Sequence, residues 1–182
     1  MATLADRKPT RRKRRWLKVA LVTVPAIVLA GSLSGYLANS GYSNDWFAAL
    51  KKPSIMPPSW AFPVAWTTLY ALMGVALAQV LTAEPSRPRT RGLVLFFLQL
   101  ALNFSWSPVF FGAGMIDWGF LIIMAMNVAV TATIIAFSRV NGVAGLLLLP
   151  YLAWLCLATT LNWEIGRLNP GADRAPLGIT GA

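Results

Sequence analysis

A chain of 182 residues that is 57% hydrophobic and only 12% charged, with mean hydropathy +0.60, lacks the polar surface of a water-soluble globule and has the balance of a single multi-pass membrane domain. The net charge of +10 is concentrated: eight of the sixteen basic residues lie between positions 7 and 18, directly before an apolar run, which points to anionic lipid headgroups and away from nucleic acid. The absence of histidine excludes a His-ligated haem or zinc, and the single Cys156 excludes an intramolecular disulfide.

A hydrocarbon core about 30 Å thick takes about 20 helical residues to cross. Five runs free of Asp, Glu, Lys and Arg are long enough: 19–44, 53–83, 92–116, 118–138 and 140–163. The turn-forming Asn39-Ser40-Gly41 shortens the first and a proline-rich loop shortens the second, so the spans are expected near 17–38, 62–82, 92–111, 118–137 and 142–163. This predicts an all-α membrane protein, a five-transmembrane-helix bundle occupying 16–168. Residues 1–15 form a basic extension before it, and 169–182, with Gly171, Pro176 and Gly178, a flexible tail after it. The first apolar run exceeds the ~7–15 residues of a signal-peptide core, so it is read as a retained span.

Basic residues alternate in density along the chain. Eight precede the first span, three lie in the 84–91 loop and one in the 138–141 loop, against Lys51, Lys52, Arg167 and Arg174 on the other side. The amino terminus is therefore expected in the cytoplasm, in a cell (inner) membrane, with the loop after span one on the opposite face. The later connections are short, which predicts successive helices as antiparallel neighbours.

That first loop is the most constrained stretch. Pro53, Pro57, Pro58 and Pro63 fix φ and remove donors, so 51–59 is expected to be ordered and extended, with Pro63 still able to sit in the first turn of a helix. Trp46, Trp60 and Trp66 accompany it. Lys51 and Lys52 either steer anionic groups to an entrance or are simply solvated.

In lipid, polar and aromatic residues at helical spacing mark an interior better than apolar ones do. Phe62, Trp66 and Tyr70 recur every four residues on span two, which predicts rings stacked along one face. Phe96, Gln99, Asn103, Trp106 and Phe110 form one stripe on span three. Tyr151, Trp154, Ala158 and Asn162 form another on span five, and Asn127, Thr131 and Ser138 a weaker polar line on span four. Pro108 is expected to weaken span three near Trp106 and free a carbonyl. Taken singly, Trp46, Trp60, Trp118 and Trp163 also suit interfacial anchors, and the amides suit plain interhelical ties. Gly31 with Gly35, and Ala101 with Ser105, are small-residue pairs that fit a dimer seam or packing within one chain. No catalytic constellation, Gly-rich phosphate loop, metal-ligand spacing or intramembrane carboxylate is present, which argues against a hydrolase, an oxidoreductase or an ion-coupled pump.

Three blocks carry a resemblance. Trp46-Phe47 with LKKPSIMPPSWAFPVAWTTLYALMG, ALNFSWSPVFFG over 101–112, and PYLAWLCLATTLNWEIGRLNP over 150–170 resemble the TspO/MBR family of tryptophan-rich sensory and translocator proteins, in its order and spacing. The resemblance implies a five-helix membrane protein, a homodimer, that binds a tetrapyrrole such as protoporphyrin or haem beneath the first loop, with no obligatory cofactor. It implies pocket tryptophans at Trp66 and Trp154, Trp46 and Trp60 above the pocket, Asn103 and Trp106 as the polar and aromatic positions of the third span, and Ala158 facing the ligand. With Phe62, Tyr70 and Phe110 from the stripes these make up the expected ligand site, Asn103 taking polar ligand edges. Two departures stand out: Ser54 and Ile55 follow Lys52-Pro53 where some bacterial members carry tryptophan, and Trp163 precedes Arg167 where the vertebrate cholesterol consensus has tyrosine. The expected role is sensory or regulatory binding. Light-dependent or oxidative porphyrin breakdown and passive transport are the alternatives.

Overall fold

The computed structural model describes residues 15–181; apart from Arg15, the basic extension expected over 1–15 lies outside the described residues. The described chain forms seven helices: α1 (Arg15–Leu37), α2 (Asp45–Ala49), α3 (Ala61–Leu81), α4 (Arg87–Ser107, prolonged by a π-helical turn over Pro108–Gly112), α5 (Ile116–Ser138), α6 (Gly142–Leu146) and α7 (Leu149–Leu168). Five segments are long and apolar enough to cross a membrane: Arg15–Leu37, Ala61–Leu81, Arg87–Gly112, Ile116–Ser138 and Gly142–Leu168.

The boundaries have local causes. Ser86 caps α4, its Oγ accepting from the Arg89 amide at 3.3 Å. The three arginines assigned to the 84–91 loop are therefore helical, and Arg89 reaches back to donate to the Val80 and Leu81 carbonyls at 3.0 Å each. Both carbonyls lie in the last turn of α3, the Val80 one also accepting from the Ala83 amide at 3.2 Å, so the basic side chain helps to close the preceding helix. In the fifth span Pro150 lacks the N–H that an unbroken helix would use, and the segment divides into α6 and α7.

Successive spans are not all close neighbours. α1 packs most extensively on α3, α4 on α5, and α5 on α7, whereas α3 and α4 touch little despite their short connection. The α1–α3 seam is built on glycine. A Cβ on Gly74 would lie 2.6 Å from the Val24 Cα, and one on Gly31 would lie 2.2 Å from the Tyr70 ring. Thr23 Oγ1 adds a hydrogen bond to the Gly74 carbonyl at 2.7 Å. Gly31 thus packs inside the chain, against a ring of the neighbouring span.

The main core fills the half of the bundle remote from the first loop, around Met73, Val80, Phe96, Ile123, Phe137 and Tyr151. Phe96 and Phe137 stack there at 5.6 Å and 10°. Gln99 points inward as its stripe predicts, though neither amide atom meets a hydrogen-bond partner among the described residues. A second, smaller core of Phe47, Leu50, Phe110, Ile116 and Ile165 lies under the loop. Between the two cores the bundle is hollow.

The tail expected to be flexible is instead docked. The buried Asp117 carboxylate accepts from the Leu177, Ile179 and Thr180 amides and from Thr180 Oγ1, at 2.7–3.2 Å. Asp173 accepts in turn from the Asp117 amide at 2.7 Å, and Arg174 N–H donates to the Gly114 carbonyl at 3.1 Å. A carboxylate with no exposure is tolerated only when its oxygens are filled, and here the tail backbone fills them.

Candidate functional site

Pro108 begins the construction of the hollow. It cannot donate to the Phe104 carbonyl four residues earlier. The freed acceptor predicted at this point exists, and Ser34 Oγ of α1 donates to it at 2.7 Å. The chain then widens into the π turn, which swings Phe110 and Phe111 beneath the loop. Trp106 and Phe110 stack at 5.0 Å and 14°.

A cavity of about 640 Å³ opens here, within the size range of small-molecule and cofactor pockets. Of the ten residues predicted for the site, Phe62, Trp66, Tyr70, Asn103, Trp106, Phe110, Trp154 and Ala158 line it. The other two do not. Trp46 is turned towards the tail, donating from Nε1 to the Ala172 carbonyl at 3.2 Å and touching Phe110 edge-on at 5.5 Å. Trp60 is 67% exposed. It lies two residues before Phe62, about 200° round the helix axis, so facing Phe62 inward turns Trp60 outward.

The rings meet differently from the predicted stack. Trp66 and Tyr70 lie together at 5.3 Å and 30°. Phe62 instead meets Trp154 edge-on at 5.9 Å, and Trp154 meets Trp66 edge-on at 6.4 Å. These perpendicular contacts tie α3 to α7, and all four rings line the hollow.

Asn103 forms the floor. Its Oδ1 accepts from Tyr70 OH at 2.8 Å, and its Nδ2 donates to Tyr151 OH at 2.9 Å. Tyr151 OH then donates weakly to Met126 Sδ at 3.6 Å. The amide thus ties together two phenols from two other helices, and it lines the cavity with one N–H and one oxygen lone pair still unused among the described residues. Tyr151 lay on the predicted stripe but outside the predicted site; its spacing was readable, its partner was not.

The sequence reading also missed the α1 wall and part of the lining from α5 and the loop: Gly31, Tyr36, Phe47, Met56, Ile123 and Met126. The Gly31–Gly35 spacing was the available signal for α1.

The loop is tied down over the hollow. Asn44 caps α2 through its Oδ1, which accepts from the Phe47 amide at 3.0 Å, while its Nδ2 donates to the Phe111 carbonyl at 3.1 Å. Asn169 of the tail clasps the Lys51 backbone, accepting from its N–H at 2.7 Å and donating to its carbonyl at 2.9 Å. Lys52 folds onto the end of α2, donating to the Phe47, Ala48 and Leu50 carbonyls, with its ammonium 4.6 Å from the Phe47 ring centre. Partial burial lowers its pKa from the ordinary lysine value. Lys52 therefore serves as a helix cap and is not placed to steer anions.

No charged side chain lines the cavity, and the described residues contain no group of His, Cys, Asp or Glu arranged to hold a metal. What the arrangement offers is largely aromatic and apolar surface, interrupted by a few uncharged hydroxyls and amides such as Thr67, Asn103, Ser107 and Asn162. Five apolar spans around such a hollow define an integral multi-pass membrane protein with an internal aromatic cavity.

Comparison with known proteins carries the assignment further. The TspO/MBR family profile matches residues 21–168, and the chain belongs to that family. It is 44% identical over 150 residues to "Tryptophan-rich protein TspO" of Chlorobaculum tepidum, covering 79% of this chain and 92% of that one. It is 42% identical over 126 residues to "Tryptophan-rich sensory protein" of Cereibacter sphaeroides (69% and 78%), and 38% identical over 156 residues to the human "Translocator protein" (81% and 92%).

Proposed function

We propose that this protein binds a flat, largely apolar tetrapyrrole such as protoporphyrin in the cavity beneath its first loop and acts as a membrane sensor or regulator of it. The observation that supports this reading is the convergence of Phe62, Trp66, Tyr70, Trp106, Phe110 and Trp154 from three spans on one hollow. A planar macrocycle exposes two broad apolar faces, and each aromatic contact with it adds about 0.5–1.5 kcal/mol beyond area burial. Without acids, bases or metal ligands along the wall, binding is the chemistry these side chains favour. The sensory relative's name agrees with such a role. The excess of basic residues at the amino-terminal end favours a cytoplasmic amino terminus, with the roofed end of the cavity on the other face. A homodimer embedded in lipid is the expected assembly.

The test is a titration of purified protein with protoporphyrin, followed by quenching of tryptophan emission. Trp66→Ala and Trp154→Ala should each weaken binding, by roughly tenfold if about 1.4 kcal/mol of ring contact is lost. Wild-type affinity in both variants removes the pocket assignment.

A further inference from the structure

The cavity is roofed at its loop end and open at the side between α1 and α3. Phe47 and Leu50 of the roof are only 5% and 8% exposed, packed on Phe110, Ile116 and Ile165. Lifting this roof breaks four hydrogen bonds: two between Lys51 and Asn169, Trp46 to the Ala172 carbonyl, and Asn44 to the Phe111 carbonyl. Two of the attachment points belong to the carboxyl-terminal segment, which is bolted to the bundle through the buried Asp117. The tail is thus a strap across the aqueous end.

The side wall is different. α1 and α3 are in close contact at Val24–Gly74 and Gly31–Tyr70. Beyond Gly31 towards the loop, Ser32 and Tyr36 of α1 and Pro63 and Thr67 of α3 all line the cavity and are all exposed. These four residues lie within apolar spans, so the slit they border faces the bilayer. Its upper rim, at the headgroup end, is polar: Asn39, Ser43 and Ser59. An amphipath resting at the interface with its polar edge towards headgroups matches this gradient.

We propose that the cavity is loaded sideways, from the bilayer through the α1–α3 slit, by an amphipathic planar ligand already partitioned into lipid, because the slit lies within the apolar spans while the tail strap ties down the roof. This inference rests on the ligand-binding reading for its ligand, but the slit itself is tested without one. In the full chain in phosphatidylcholine/phosphatidylglycerol vesicles, a nitroxide is attached at Thr67→Cys, with the exposed Cys156 replaced by Ser. Relaxation dominated by dissolved oxygen is expected, as for a lipid-facing site; relaxation dominated by an aqueous nickel chelate overturns the lateral slit.

Loading is then followed as tryptophan quenching after protoporphyrin is added to the vesicles. Thr67→Trp, which fills the slit, should slow loading roughly tenfold, a change in barrier rather than in diffusion. Asp117→Asn, which loosens the strap, should not speed it. Loading of Thr67→Trp at the wild-type rate, or acceleration by Asp117→Asn, overturns the proposal. If the wild-type chain takes up no protoporphyrin, the binding reading fails, and the nitroxide result decides the slit on its own.

Discussion

Ser34 and Phe104 are joined by a hydrogen bond of 2.7 Å between α1 and α4, and it fills the acceptor that Pro108 leaves without a helical partner. A backbone irregularity inside an apolar span survives when a neighbouring helix supplies the missing donor. Ser34→Ala should therefore cost about 1–3 kcal/mol, the penalty for orphaning a partly buried carbonyl inside an apolar span. Ser105→Ala should cost much less, because Ser105 Oγ donates only to Leu102 of its own helix. Thermal unfolding of both variants in detergent checks the contrast.

The Tyr70–Asn103–Tyr151 network predicts a non-additive series. Asn103→Leu strands two phenols and should destabilise by about 1–3 kcal/mol, more than Tyr70→Phe alone. Adding Tyr70→Phe and Tyr151→Phe to Asn103→Leu should recover most of the loss, since a fully apolar replacement leaves nothing unpaired. Unfolding free energies of the single, double and triple variants measure the coupling.

The two glycines of the α1 small-residue pair should behave differently. A Cβ at Gly31 meets the Tyr70 ring at 2.2 Å, whereas one at Gly35 meets nothing nearer than Ser40 Oγ at 3.8 Å. Gly31→Ala should cost about 1–3 kcal/mol through overpacking, and should shift Tyr70 off Asn103. Gly35→Ala should be close to neutral. Chemical denaturation together with the tyrosine near-ultraviolet signal separates the two.

Gly166 holds the tail by its smallness, because a Cβ there would lie 2.0 Å from Thr180 Oγ1. Gly166→Ala should release the tail without unfolding the spans. Hydrogen exchange at the Leu177, Ile179 and Thr180 amides should accelerate, while amides of α5 keep their protection. Uniform loss of protection would show that the tail is integral to the bundle rather than strapped onto it.

The spans were legible because a charge-free run of about 20 residues has few fates outside a bilayer. Inward orientation was legible too: Asn103, Trp66 and Trp154 lie on stripes whose polar members avoid lipid. What the stripes leave open is the partner. Asn103 reads from its stripe as a ligand contact, and only the crossing of α3, α4 and α7 shows that it also ties two phenols together. Trp60 illustrates a second limit, since a residue at a helix start has no periodicity to orient it until the helix phase is known. The tail was misjudged for a third reason. Gly171, Pro176 and Gly178 have the composition of a loose end, but its order comes from Asp117, more than fifty residues upstream, and local sequence carries no trace of so distant an acceptor.

The central claim is that the aromatic hollow is where the macrocycle lies, and methyl NMR with free-base protoporphyrin tests it most directly. Ile123 and Met126 line the cavity, while Met124 and Ile135 of the same helix are exposed on its outer side. The ring current of a bound porphyrin should shift the Ile123 and Met126 methyls and leave those of Met124 and Ile135 in place. Shifts confined to Met124 and Ile135 would put the porphyrin on the lipid-facing surface and contradict the account.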